Sequence, residues 1–423
     1  MKVLWLTNYV LPFIASQIGI PATVNEGWLI GLSDQLIEKK WEMVFCTDSE
    51  KIKEKIVLKV NDNTIFYGFP NQKTNKYNKN LKIEYARVLA TERPDIIHIM
   101  GSEFPHAYSM YEACVMQHMK ERCVVSIQGL ISKISKAYDL GIEPVYKKRR
   151  LFWDLIVKDS ILLNKKDFAG RGFYEKKLLE NVCNVIGRTK WDRLCVEQMN
   201  DGIRYFTCKE ILRAVFYQNR WSYQNCTKHS VIISQATYPV KGFHILLKAA
   251  AILKKKYHDL KIYVPSHTVY PMAMKRPGWL NSDYANYIVR LIEMNSLKDH
   301  IEFLGSLDAE SMCRAYLRSN VFVCPSTIEN SSNSLGEAML LGMPVVASYV
   351  GGLSSMMDHE KEGIFFPLEE EYTLAACIGR LFEDIEFAER LGENAQKRAE
   401  TTHNREENLS ELLWCYNQIY QAD

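Results

Sequence analysis

Residues 325–352 read PSTIENSSNSLGEAMLLGMPVVASYVGG, and Glu329 and Glu337 stand in that run with seven residues between them. A buried strand ending at Cys324 feeds a polar loop and then a helix of small residues. Ser331, Ser332, Asn333 and Ser334 are all capping types, and whichever of them caps, the free N–H groups of the first turn carry the positive end of the helix dipole. That is chemistry for an anion above the end of a sheet. Glu337 lies about one turn past Asn333, roughly 6 Å at 1.5 Å per residue, within reach of sugar hydroxyls beside a bound phosphate. Glu329, on the loop, can accept hydrogen bonds from a second polyol. Two glutamates on a surface helix are ordinarily solvated charge; the order strand, cap-rich loop, helix, strand is what makes this pair a site.

A second stretch, ISQATYPVKGFHILLKAA, sets Lys241-Gly242 between a strand and a helix, where a cation and first-turn amides can neutralise a diphosphate. In the first half of the chain, DIIHIMGSEFPHAYSM holds three further candidates. His98 falls inside a strand, where a histidine is more often a satisfied core residue than a catalyst. Glu103 and His106 fall in the loop that follows, at the carboxyl end of the strand, where α/β sheets bind ligands. VSIQGL puts Gln128 at another strand end.

The elements that position these residues alternate. Residues 3–7 read as a strand, 28–40 as an amphipathic helix and 43–46 as a second strand; strands at 95–99, 123–127 and 182–187 each follow helical stretches. The pattern restarts at 230–234, followed by helix 243–257 and strands 260–264, 300–304, 321–324 and 345–348. Two α/β units with doubly wound sheets follow from this. The polar stretch 218–228 reads as the linker, giving a first domain over 1–222 and a second over 223–404. Helix 405–420 is expected to pack back on the first domain.

The spacing E-x7-E, the following EAMLLGMPVVAS and the Gly-Gly after it resemble the donor-binding segment of family 4 glycosyltransferases, and most closely its polysaccharide-assembling bacterial members. The segments GRTKWDRLC and CKEILRAVFY extend the likeness over most of the chain. The resemblance implies the GT-B fold, two facing Rossmann-like domains with an interdomain cleft, and a retaining transfer from a nucleotide sugar to a glycan or lipid-linked glycan in surface polysaccharide assembly. It assigns Glu329 to the donor sugar, Glu337 to the ribose, and the amides of Ser332, Asn333, Ser334 and Leu335 to the pyrophosphate. Lys241 serves the phosphates; the arginine that the family carries six residues earlier is here Gln235. Gly27 stands in the family's glycine-rich loop after the first strand, with Glu26 a departure from the usual pair of glycines. Glu329, His106 and Lys241 are the catalytic candidates, and Glu103, His106 and Gln128 the acceptor-binding ones.

Composition bounds the remaining choices. Lys plus Arg 53 against Asp plus Glu 50 leaves +3 over 423 residues, too little for a chain built around nucleic-acid phosphates. Eleven cysteines with no C-x-x-C pair suit a reducing cytoplasm, and neither a transmembrane helix nor a secretory leader is expected. No D-x-D, G-x-G-x-x-G, G-x-x-x-x-G-K-[ST] or G-x-S-x-G occurs, so neither a bound metal nor a cofactor is expected. Residues 147–166, basic and aromatic, read either as a membrane-surface helix or as a domain-covering helix with a solvated end. Two other functions stay open: a GT-B nucleotide-sugar epimerase or hydrolase, and a non-catalytic sugar-binding protein.

Overall fold

The computed structural model describes all residues except 22–26, 148–159, 266–268, 276, 277, 279, 280 and 423. The chain divides into two compact units: Met1–Lys133 with Asp167–Ile211 and Asn404–Asp423, and Ile134–Lys166 with Leu212–His403.

The first unit is built on eight strands: β1 Lys2–Thr7, β2 Glu42–Ser49, β3 Ile56–Asn61, β4 Thr64–Pro70, β5 Ile96–Ile99, β6 Cys123–Ser126, β7 Asn184–Gly187 and β8 Arg204–Thr207. They lie in the order β3-β4-β2-β1-β5-β6-β7-β8. All pairs are parallel except β3 with β4. Parallel strands are covered on both faces, and β1 and β2 are accordingly buried at nearly every position. Leu4, Leu6, Val44 and Cys46 enter one core cluster, and Val3, Trp5, Met43 and Phe45 enter the other. The sequence reading passed over the β3–β4 hairpin. Its outer strand, IVLKVN, has no fully buried residue and only alternates half-buried with exposed positions, and the two strands are joined by a turn at Asp62-Asn63.

The closing helix, Arg405–Gln421, completes this unit, with Leu409, Leu412, Cys415, Tyr416 and Ile419 in the cluster that holds Trp5 and Phe45. Tyr416 is its polar anchor: its hydroxyl accepts from Trp5 Nε1 at 3.0 Å and meets His98 Nδ1 at 2.6 Å.

The second unit carries β9 Thr227–Ile232, β10 Lys261–Pro265, β11 Ile301–Gly305, β12 Ser319–Cys324, β13 Val345–Ser348 and β14 Ile364–Phe366, in the order β11-β10-β9-β12-β13-β14. Every pair is parallel. The stretch 218–228 lies in this unit, tied down by Trp221, whose backbone N–H donates to Leu341 O at 2.8 Å and whose indole donates to Ser319 O at 2.7 Å.

Ile134–Lys166 also belongs to this unit. Its carbonyls at Ala137, Leu140 and Gly141 accept from Thr327 Oγ1 (2.8 Å), His244 Nε2 (2.9 Å) and Lys248 Nζ (3.0 Å). Most of the basic run 147–166 lies outside the described residues; Lys147 and Lys165, on either side of them, both pair with Asp139. Among the described residues no helix is long and apolar enough to cross a membrane.

Candidate active site

The strongest sequence signal condenses into one place in the second unit. After β12 the chain turns through 325–332 and enters the helix Asn333–Leu340, capped by Ser332, whose Oγ accepts from the Leu335 N–H at 3.4 Å. The Ser332 carbonyl accepts the Gly336 N–H, so Asn333 and Ser334 are the first-turn amides left facing outward. Leu335, expected among the phosphate-binding amides, already serves the cap. Ser334 Oγ accepts from Ser234 Oγ at 3.0 Å and lies 3.1 Å from Ser332 Oγ, linking the cap to the end of β9.

Two glycines bring Lys241 and Glu329 together. Gly242 sits at φ 69°, and a Cβ there would come 1.8 Å from the Pro325 carbonyl oxygen. Gly351 sits at φ 53°, and a Cβ there would come 2.0 Å from the Glu329 carbonyl oxygen, which also accepts the Gly352 N–H. Only a residue without a side chain permits either approach. The result is an ion pair, Lys241 Nζ to Glu329 Oε1 at 2.6 Å, with Ser326 Oγ donating to the same oxygen at 2.9 Å. Burial works to lower the Lys241 ammonium, but the Glu329 carboxylate outweighs it and holds the pKa above the usual lysine value. Lys241 is a cation at any ordinary pH. Gln235 is exposed and, among the described residues, donates only to Thr237 Oγ1, at 3.4 Å, so no cation replaces the expected arginine at that position.

Glu337 is not an open carboxylate. Arg213 Nε donates to its Oε1 at 2.6 Å and Nη2 to its Oε2 at 2.7 Å, a two-pronged pair in a buried setting. Burial raises the Glu337 carboxyl above its usual range, and the guanidinium opposes that rise. Arg213 opens the short turn Ala214–Tyr217, pinned by the fully buried Phe216 and by Tyr217 OH, which donates to His403 O at 2.7 Å. It lies inside CKEILRAVFY, but nothing in the local pattern marks it as a site residue.

In the first unit the candidates gather at the carboxyl ends of β1, β2, β5 and β6. His106 is in the first turn of the helix Pro105–Met116 and is buried. Its Nδ1 is bonded to Asp48 Oδ1, and its Nε2 lies 2.7 Å from Asn8 Oδ1. Burial works to raise the Asp48 carboxyl; contacts from His106, Asn71 and Tyr85 outweigh it and hold it below the usual range. Glu103 folds back over Gly101, where φ is 123° and a Cβ would come 2.3 Å from Glu103 Oε2. Gln128 is half-buried, with its Nε2 enclosed and without a hydrogen-bond partner among the described residues.

The buried Glu175, from the helix Ile161–Leu179, ties these loops together. Its Oε1 accepts from Ser102 Oγ and the Ile131 N–H, both at 2.9 Å, and its Oε2 from the Ser132 N–H at 2.8 Å. Gly27 opens the helix Gly27–Glu38, and Glu26 lies outside the described residues. His98 is a core residue, held by Tyr416 and by Ser126 Oγ at 2.7 Å, and burial pushes its pKa down to about 3. Asn8, Glu175 and Arg213 are the residues that sequence reasoning did not single out.

Two doubly wound units of this kind make a GT-B fold, and the comparisons agree. Sucrose-phosphate synthase from Thermosynechococcus elongatus superposes with a TM-score of 0.70 at 18% identity, covering 100% of both chains. HepE of Anabaena, solved in complex with UDP, gives 0.63 at 15% identity over 98% of each chain.

Residues 218–398, most of the second unit, match the family described as glycosyl transferases group 1. An uncharacterized glycosyltransferase of Methanocaldococcus jannaschii is 25% identical over 225 residues, 52% of this chain and 53% of that protein. A D-inositol 3-phosphate glycosyltransferase of Corynebacterium urealyticum is 26% identical over 180 residues, 43% and 41% of the two chains. The matched stretches thus span about half the length of these curated relatives or less.

Proposed function

We propose that the protein is a retaining glycosyltransferase that moves a sugar from a nucleotide-sugar donor to a hydroxyl of a glycan or lipid-linked glycan in the cytoplasm, as a step in surface polysaccharide assembly. The observation that carries this reading is the Lys241–Glu329 pair beside the Ser332-capped helix start, inside the segment that matches the glycosyl transferases group 1 family. A cation, outward-facing amides and a carboxylate at one helix start suit a diphosphate with a sugar attached.

In this reading the bond between the anomeric carbon and the diphosphate oxygen breaks, and the diphosphate leaves with the electron pair. Lys241 and the amides of Asn333 and Ser334 take up the charge that develops on it. Glu329 accepts hydrogen bonds from donor-sugar hydroxyls, and Glu337, held by Arg213, accepts from the ribose. The acceptor oxygen bonds to the anomeric carbon on the face the diphosphate leaves, and its proton passes to the departing phosphate. No protein nucleophile, metal or cofactor is required by that sequence of events. Glu103, His106 and Gln128 are the acceptor-side groups.

The experiment is a thermal-shift panel of UDP-, GDP-, ADP- and dTDP-sugars, followed by mass spectrometry of candidate acceptors with the stabilising donor. Stabilisation by one nucleotide class and an acceptor heavier by one sugar is the expected result. No stabilisation by any donor overturns the donor assignment, and free nucleotide with an unchanged acceptor mass points to hydrolysis or epimerisation instead.

A further inference from the structure

Asp48 ends up in a place that no local pattern in the sequence anticipates. It lies in β2 and is only 1% exposed, and the described hydrogen bonds to its carboxylate all come from side chains elsewhere in this unit. Tyr85 OH, from the helix Lys79–Glu92, donates to Oδ1 at 2.9 Å, and Asn71 Nδ2 donates to Oδ2 at 2.6 Å. His106 Nδ1 makes the remaining contact, to Oδ1.

A carboxylate can only accept, so the ring must carry its proton on Nδ1. Nε2 then becomes the atom the ring offers outward. It faces Asn8, at the end of β1, whose amide can meet it with either its oxygen or its NH2 group. Tyr85 holds the oxygen that meets the ring and Asn71 holds the other, so the carboxylate cannot follow the ring if the ring turns.

We propose that Asp48 is a positioning residue for His106: it fixes the ring's orientation and Nδ1–H tautomer so that Nε2, displacing or sharing Asn8, makes the hydrogen bond to the incoming acceptor hydroxyl. This rests on the glycosyltransferase reading for its substrate, but not for its geometry. Asn8 keeps Nε2 occupied until the hydroxyl arrives, so the ring need not reorganise when it does. Tyr85 and Asn71 support the ring indirectly and touch no substrate.

The test has two parts, both on the full chain. In 15N-histidine-labelled wild type, the ring of His106 is expected to show a protonated Nδ1; a ring protonated at Nε2 alone overturns the proposal. In steady-state kinetics, D48A and H106Q are each expected to lower kcat about 100-fold, the scale of one misplaced reacting group, with donor KM within about twofold of wild type. The double variant is expected to lose no more than either single one, because the two side chains act as a unit. Losses that multiply, or a D48A enzyme with wild-type kcat, overturn the proposal. If D48A does not fold, the labelled wild type decides alone. A wild type that shows the expected Nδ1–H ring but turns over no nucleotide sugar sinks the functional reading and leaves the Asp48 assignment standing.

Discussion

Arg213 grips Glu337 with two parallel hydrogen bonds of 2.6 and 2.7 Å across 124 residues of sequence. The carboxylate expected to bind ribose is thus held in a fixed orientation, and any hydroxyl it accepts from must share it with a guanidinium. Arginine suits this better than lysine, since its planar fork matches both oxygens at once.

Removing that fork leaves a buried carboxylate with no cation. R213M is expected to lose about 2–4 kcal/mol of stability, somewhat below the range for a fully buried pair because the Arg213 side chain is 21% exposed. In the R213M/E337Q double variant the loss is expected to be smaller than the sum of the singles. Urea denaturation of the four proteins measures the coupling, and strict additivity would show that the pair contributes no mutual stabilisation.

The Lys241–Glu329 pair makes a separate prediction about ligand. K241M is expected to weaken binding of the nucleoside diphosphate itself by about 10–100-fold, the cost of one charge-assisted contact. E329Q is expected to bind the free nucleotide as wild type does and to lose turnover at saturating donor. Calorimetry with the nucleotide separates the two, and a Glu329 variant with unchanged turnover refutes its assigned contact with the donor sugar.

Two glycines set the backbone of that pair. G242A would drive a methyl into the Pro325 carbonyl and G351A into that of Glu329, each at a positive φ that alanine also disfavours. Both variants are expected to lose at least about 2 kcal/mol and most of the nucleotide affinity. G170A, at a position with open space, is the control and is expected to behave as wild type.

His98 predicts a pH dependence with a definite sign. Its folded pKa is about 3, against 6.5 when unfolded. Above pH 6.5 both states are neutral and nothing changes. As pH falls from 6.5 toward 3, the unfolded chain takes up a proton that the folded one refuses, and stability drops by about 1.4 kcal/mol per pH unit from this group alone. H98Q is expected to show a shallower fall of Tm across that window than wild type. An equal slope in both proteins would mean that His98 is protonated in the fold.

The Trp5–Tyr416–His98 contacts make the closing helix part of the first unit's core. Y416F removes the acceptor for the buried indole and a partner of the buried imidazole, and is expected to cost about 1–3 kcal/mol. Its measure is the denaturation midpoint of the full chain.

The line between what the chain's residue pattern determined and what only folding decided follows the range of the interactions. The alternating strands and helices, the two α/β units and the loop from Cys324 to the helix Asn333–Leu340 were legible, because apolar periodicity and helix caps act over a few residues. For the same reason Lys241, Glu329 and Glu337 could be picked out from their neighbours alone. The partners could not. Arg213 reaches Glu337, Asp48 reaches His106 across 58 residues, and Tyr416 reaches His98 across 318. Buried charges and ring nitrogens must be satisfied by whatever the packed sheet brings alongside them. One sequence carries no record of that proximity, and only the tertiary structure turns single candidate residues into pairs that can hold a charge or aim a ring.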